Sequence, residues 1–153
     1  MEDKDLLLKD LCLRLPYRVK VKFKVNEVIA NEKKFIYNVD GEYSYITDGK
    51  SYLTLDIIKM LSNNYLDEIK PYLFPLLSMT EEQCNEFYCR FVENEIDYND
   101  FKEYYFEGGL WYKLLTSIDD CGEVIDWFNK HHFDHRGLIE KGLAIDCTNL
   151  NIY

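Results

Sequence analysis

Residues 131 to 135 read His-His-Phe-Asp-His, which places His131 and His135 four apart, about one helical turn, with a carboxylate between them. Imidazole and carboxylate are zinc-ligand types, but zinc needs about three or four converging ligands and a single helical turn supplies only two of them. The segment lacks the glutamate of an H-E-x-x-H motif, and no cysteine pair stands near it. His131 also falls on an apolar stripe with Val124, Trp127 and Phe128, which favours a packed or capping histidine. No metal is expected.

A second constellation is acidic. Between Glu81 and Glu107, the carboxylates of Glu81, Glu82, Glu86, Glu93, Glu95, Asp97, Asp100, Glu103 and Glu107 stand against only Arg90 and Lys102. Phe87, Phe91, Phe101 and Tyr104 supply inward anchors. Rigid helices carrying carboxylates near phosphate-like spacing suit a basic groove built for nucleic acid, with charge raising the on-rate and selecting the partner. The first eight of these carboxylates are the candidate partner-binding residues. The competing reading is a solvated helix face that keeps the protein soluble.

A third constellation is basic. Arg18, Lys20, Lys22 and Lys24 alternate with Val19, Val21, Phe23 and Val25, the period of a half-buried strand. Such a row suits phosphates or an acidic protein patch, with Tyr17, Tyr43 and Tyr45 nearby for stacking. It is also what the wet face of an antiparallel strand requires. Nucleophilic chemistry finds no pattern: there is no G-x-S-x-G, P-loop or G-x-G-x-x-G, and nothing singles out two carboxylates as an acid and base pair. The expectation is a non-enzyme without a cofactor.

The chain has 153 residues, 47% of them apolar and 16% aromatic, enough for one domain with a real core. Its net charge of −10 is segregated, because residues 1–76 hold twelve Lys and Arg against twelve Asp and Glu, whereas residues 77–153 hold six against sixteen. A one-signed field steers partners and disfavours the wrapping of DNA or RNA by the whole molecule. No apolar run approaches the roughly 20 residues of a membrane span, and Met1-Glu2-Asp3-Lys4-Asp5 is too acidic for a signal peptide, so a cytoplasmic protein is expected. Cys12, Cys84, Cys89, Cys121 and Cys147 form no C-x-x-C pair and read as reduced.

These residues must be positioned by regular elements. Leu7, Leu8, Leu11, Cys12 and Leu15 mark an N-terminal helix that Pro16 stops. Arg18 to about Ile57 reads as a four-stranded antiparallel meander, with hairpin turns at Asp40-Gly41 and Asp48-Gly49 and a last strand over residues 51–57. Residues 57–66 are ambiguous, with a short helix preferred, and Pro71 and Pro75 force an extended stretch. Thr80-Glu81-Glu82-Gln83 is a capping box opening a helix through Val92; further helices cover Asp97 to Phe106, ending at Gly108-Gly109, and the stripe through Val124 and His131. The fold class is therefore α+β in a single domain over 1–153: helix plus meander in 1–66, and a mainly helical, acidic part in 67–153. Leu7, Leu11, Val21, Phe23, Phe35, Tyr37, Phe87, Phe91, Trp127 and Phe128 are the expected core.

Three blocks carry a resemblance. Leu6 to Tyr17 (LLLKDLCLRLPY), Ile69 to Pro75 running into Ser78 to Glu82, and His131 to Ala144 (HHFDHRGLIEKGLA) resemble a family of small uncharacterised proteins encoded by phages and mobile elements of gut anaerobes. Relatives carry tyrosine at the position of His135, and the segment from Cys147 to Tyr153 departs from the family's usual ending. The resemblance transfers no activity. It implies a bacterial host cytoplasm and, with the acidic helices, a host nucleic-acid-handling machine with a basic groove, such as a CRISPR effector, as the inhibited partner. Direct nucleic-acid binding through the basic strand is the alternative, and a structural or regulatory role in the mobile element is a third.

Overall fold

The computed structural model describes residues 3–25, 37–39, 42–44, 48–64, 66–92, 96–109 and 121–153. They form an α+β fold that divides into two compact units, Met1–Leu73 with Gly137–Tyr153, and Phe74–Arg136.

In the first unit, helix α1 (Asp3–Arg14) carries Asp3 and Asp5 in its first turn and Arg14 in its last, charges that suit the helix dipole. Leu7 and Leu11 are buried along it. Pro16 lies in a 3₁₀ turn, Leu15–Tyr17, and the chain then reverses at Arg18, whose φ of 56° is left-handed. Strand β1 (Lys20–Val25) follows, then β2 (Tyr37–Val39), β3 (Glu42–Ser44) and β4 (Asp48–Tyr52). Helix α2 (Leu55–Ser62) starts at the Thr54 cap, whose hydroxyl accepts from the Ile57 amide, and strand β5 (Leu66–Leu73) returns alongside β1.

The four-stranded meander is not what forms. Strand β1 is central and antiparallel to both β4 and β5; a two-residue strand at Ile145–Asp146 joins β5 in parallel; and β2 and β3 pair only with each other, Val39 opposite Glu42. Three physical reasons account for the difference. Asp48-Gly49 is strand rather than turn, with Gly49 registered opposite Phe23 in the pairing of β4 with β1. Residues 55–62 are helical because Ile57, Ile58 and Leu61 recur at the spacing of a buried helical stripe behind a threonine cap. The extended stretch before Pro71 has β1 as its partner, and Pro71 is tolerated because the short parallel strand pairs only from Tyr72 onward.

The core of this unit joins Leu7 and Leu11 of α1 to Val19, Val21 and Phe23, the α2 stripe, Ile69 and Leu73, and to Leu138 and Ala144. Inside it lies an ion pair no apolar pattern announces: Arg14 donates to Asp10 at 2.6 Å with both side chains fully buried. Tyr153 closes one end of the sheet. Its hydroxyl accepts from the Lys20 amide and donates to the Tyr72 carbonyl, each at 2.9 Å, bridging β1 and β5.

In the second unit, helix α3 (Glu81–Phe91) opens on the complete capping box: the Gln83 amide donates to the Thr80 hydroxyl at 3.2 Å and the Thr80 amide to the Gln83 side chain at 2.9 Å. Helix α4 (Tyr98–Asp100), capped by Asp97, runs into a π-helical stretch, Phe101–Glu107, closed by the Gly108 amide donating to the Glu103 carbonyl at 3.0 Å. Helix α5 (Cys121–Lys130) completes the unit. Phe87 is its hub, with ring centroids 5.1 to 6.2 Å from those of Phe91, Phe101, Trp127 and Phe128. Phe87, Trp127 and Phe128 are buried as expected and Phe91 is partly so; Phe35 and the side chain of Tyr37 lie outside the described residues.

Candidate functional site

Charge is the property that most clearly distinguishes the two units. Residues 74–136 contain five Lys and Arg against fourteen Asp and Glu, a net of −9, so the remainder of the chain carries only −1. The acidic candidates belong to this second unit. Glu93 and Glu95 lie outside the described residues. The other six divide by what their carboxylates do.

Three have structural work. Glu81 accepts from the Lys102 ammonium at 2.9 Å, tying α3 to the π-helical stretch. That hydrogen bond, reinforced by the cation's charge, holds the Glu81 carboxyl below the usual range, and the carboxylate in turn raises the Lys102 ammonium. Glu86 accepts from the Trp127 indole at 2.9 Å, joining α3 to α5. Asp97 accepts from the Asn99 amide at 2.9 Å as the α4 cap. All six, Glu82, Asp100 and Glu103 as well as Glu81, Glu86 and Asp97, are exposed. The accessible negative surface among the described residues therefore includes all six together with Glu107, Glu123 and Asp126, and Arg90, 3.5 Å from Glu123, offsets part of it.

On the first unit, alternation along the basic strand holds. Val19, Val21 and Phe23 are buried, while Arg18, Lys22 and Lys24 are exposed. Lys20 differs, since its ammonium donates to the Ile152 carbonyl at 2.5 Å and lies over the rings of Tyr52 and Tyr153. The aromatic side chain of this face is Tyr52, with the Arg18 guanidinium 4.6 Å from its ring centre, a partner that the sequence reading missed. Tyr52 lies within the last strand expected over residues 51–57, but its place opposite Lys20 follows only from the pairing of β4 with β1. Tyr45 and the side chain of Tyr43 lie outside the described residues, and Tyr17 is half-buried.

The His131 ring packs tilted against Trp127 with centroids 4.3 Å apart, and His135 stacks on Phe128 at 5.8 Å. Burial lowers the His131 imidazole, opposed by the Glu86 carboxylate. Among the described residues no three His, Cys, Asp or Glu side chains gather as a metal site would need. Burial also pushes the Cys84 and Cys147 thiols up to about 11, so both remain protonated at neutral pH.

An open groove of about 340 Å³ runs beside α1 and β5, with Leu7, Leu61, Ile69 and Leu143 beneath a mixed rim of Asp3, Lys4, Glu68 and Lys70. Its rim charges cancel, so it favours no ligand sign. Among the described residues, no helix is long and apolar enough to cross a membrane. No family model, no curated protein and no solved structure matches the chain.

Proposed function

We propose that the chain is a non-enzymatic binding protein of phage or mobile-element type, acting in the bacterial cytoplasm by seating its acidic helical unit in the basic groove of a host nucleic-acid-handling defence protein, of which a CRISPR effector is the leading example. The observation that carries this reading is charge segregation: residues 74–136 hold −9 of the net −10. A field so concentrated favours encounter with a cationic surface and opposes nucleic acid at the same place. Aromatic packing around Phe87 supplies the rigidity that makes a fixed array of carboxylates selective.

The test is interference by a defence nuclease in cells expressing the full chain, alongside capture of that nuclease by the purified protein. Glu82→Lys, Asp100→Lys and Glu103→Lys combined reverse three of the exposed charges without touching the Lys102, Trp127 or helix-cap contacts. Loss of both inhibition and capture, with the circular dichroism spectrum unchanged, is the expected result. Retention of both in that triple variant sinks the proposal.

A further inference from the structure

The exposed face of the first unit's sheet is the feature the acidic unit leaves unused. Strand β1 is central, and its exposed Lys22 and Lys24, with Arg18 just before it, alternate with the buried Val19, Val21 and Phe23. The register sets Lys22 opposite both Lys50 of β4 and Lys70 of β5, three lysine positions in one row across three strands. Like charges placed directly opposite one another destabilise a sheet. Among the described residues Glu68 pairs with Lys70 at 3.1 Å and Lys24 is registered opposite both Asp48 and Glu68, so the relief is centred on Lys24 while Lys22 faces lysine on both sides. Tyr52, 43% exposed, stands beside Lys20 on this face, with the Arg18 guanidinium over its ring at 4.6 Å from the centre and the Lys20 ammonium at 5.2 Å.

We infer that this sheet face is a binding surface for single-stranded nucleic acid, with Arg18, Lys22 and Lys24 contacting phosphates and Tyr52 offering a ring for a base. The inference is independent of the role proposed for the acidic unit. Two physical features select this occupant. Residues two apart on a strand repeat at roughly 7 Å, so Lys22 and Lys24 can follow successive phosphates of an extended chain. An exposed aromatic side chain beside those cations adds stacking, which an acidic protein segment does not use. The near-neutral charge of this unit, −1 against −9 for the other, leaves the local positive field standing.

The test is fluorescence anisotropy of the full chain with labelled oligothymidylate and oligouridylate of about 20 nucleotides. Three phosphate contacts to a single strand give a salt slope near −2, so raising potassium chloride from about 50 to about 200 mM is expected to weaken binding about 20-fold. In Lys22→Ala with Lys24→Ala, both exposed positions that leave the core intact, the same change of salt is expected to weaken binding only about 3-fold. Tyr52→Phe is expected to bind as the parent does and Tyr52→Ala at least about 5-fold more weakly. The charge-reversed Glu82, Asp100 and Glu103 variant is expected to bind the oligonucleotide no more weakly, which separates this surface from the acidic one. Absence of binding at low salt, or a salt slope unchanged by the lysine substitutions, overturns the inference. Competition by a polyglutamate peptide as effective as by oligonucleotide also overturns it, and assigns the face to an acidic protein segment.

Discussion

The Trp127 indole N–H donates to a carboxylate oxygen of Glu86 at 2.9 Å, across 41 residues of sequence, and so joins helices α3 and α5 through one half-buried contact. Glu86 thus serves the fold as well as the acidic surface. Glu86→Ala leaves a half-buried indole donor without its acceptor, which is expected to cost about 1–3 kcal/mol. Glu86→Gln keeps an acceptor in the same place and is expected to recover most of that stability while removing the charge. Urea denaturation followed by circular dichroism checks both, and equal losses in the two variants would show that charge, not the hydrogen bond, matters there.

The Asp10 and Arg14 pair is expected to respond more severely. Both side chains are fully buried, one turn apart on α1, and joined at 2.6 Å. Replacing either with alanine breaks the buried pair, at an expected cost of about 3–5 kcal/mol. Replacing both with leucine and methionine removes the desolvation penalty together with the attraction, and is expected to cost far less than either single change. A double-mutant cycle in denaturant measures this; additive losses would contradict it.

How far these features were legible in sequence depends on how local their causes are. The capping box at Thr80 and Gln83 was readable because both hydrogen bonds lie within four residues. Alternation in β1 was readable because burial and exposure repeat along one strand. Strand order was not, because pairing β1 with β5 brings together residues nearly 50 apart, and nothing local to Asp48-Gly49 distinguishes a turn from a strand registered opposite Phe23. Burial of Asp10 and Arg14 was hidden for a similar reason: a periodicity argument counts apolar residues and assigns every charge to water. The acidic candidates show the same limit, since their types and spacing gave the charge, while only the fold reveals that Glu81, Glu86 and Asp97 also hold helices in place.

Acid is expected to loosen the second unit through His131. Its imidazole is half-buried against Trp127, and burial lowers its affinity for a proton in the folded state, with Lys130 acting in the same direction and Glu86 opposing. Above the ordinary histidine value, near 6.5, folded and unfolded chains are both neutral at this site and it contributes no pH dependence. As pH falls through that value the unfolded chain takes up the proton first, so stability declines until the folded state also protonates. His131→Phe keeps a ring against Trp127 and removes the titration. Comparing urea midpoints of the two proteins between about pH 7.5 and pH 5 should show the parent losing more stability than the variant, and parallel curves would contradict the assignment.

The turn after the π-helical stretch separates two reasons for a glycine. At Gly108 a Cβ would meet the Tyr104 carbonyl oxygen at 2.5 Å and the Glu103 carbonyl oxygen at 3.0 Å, so any side chain must displace the backbone that closes the last π turn. At Gly109 there is open space, but φ is +68°, which ordinary side chains resist. Gly108→Ala is therefore expected to cost about 1–3 kcal/mol. Gly109→Ala is expected to cost about 1–2 kcal/mol. Gly109→Asn should cost less than Gly109→Ala, because asparagine tolerates the left-handed region, whereas Gly108→Asn should be no better than Gly108→Ala. Thermal denaturation of the four variants decides it, and rescue of both positions by asparagine would show that backbone conformation, rather than the carbonyl contact, governs Gly108.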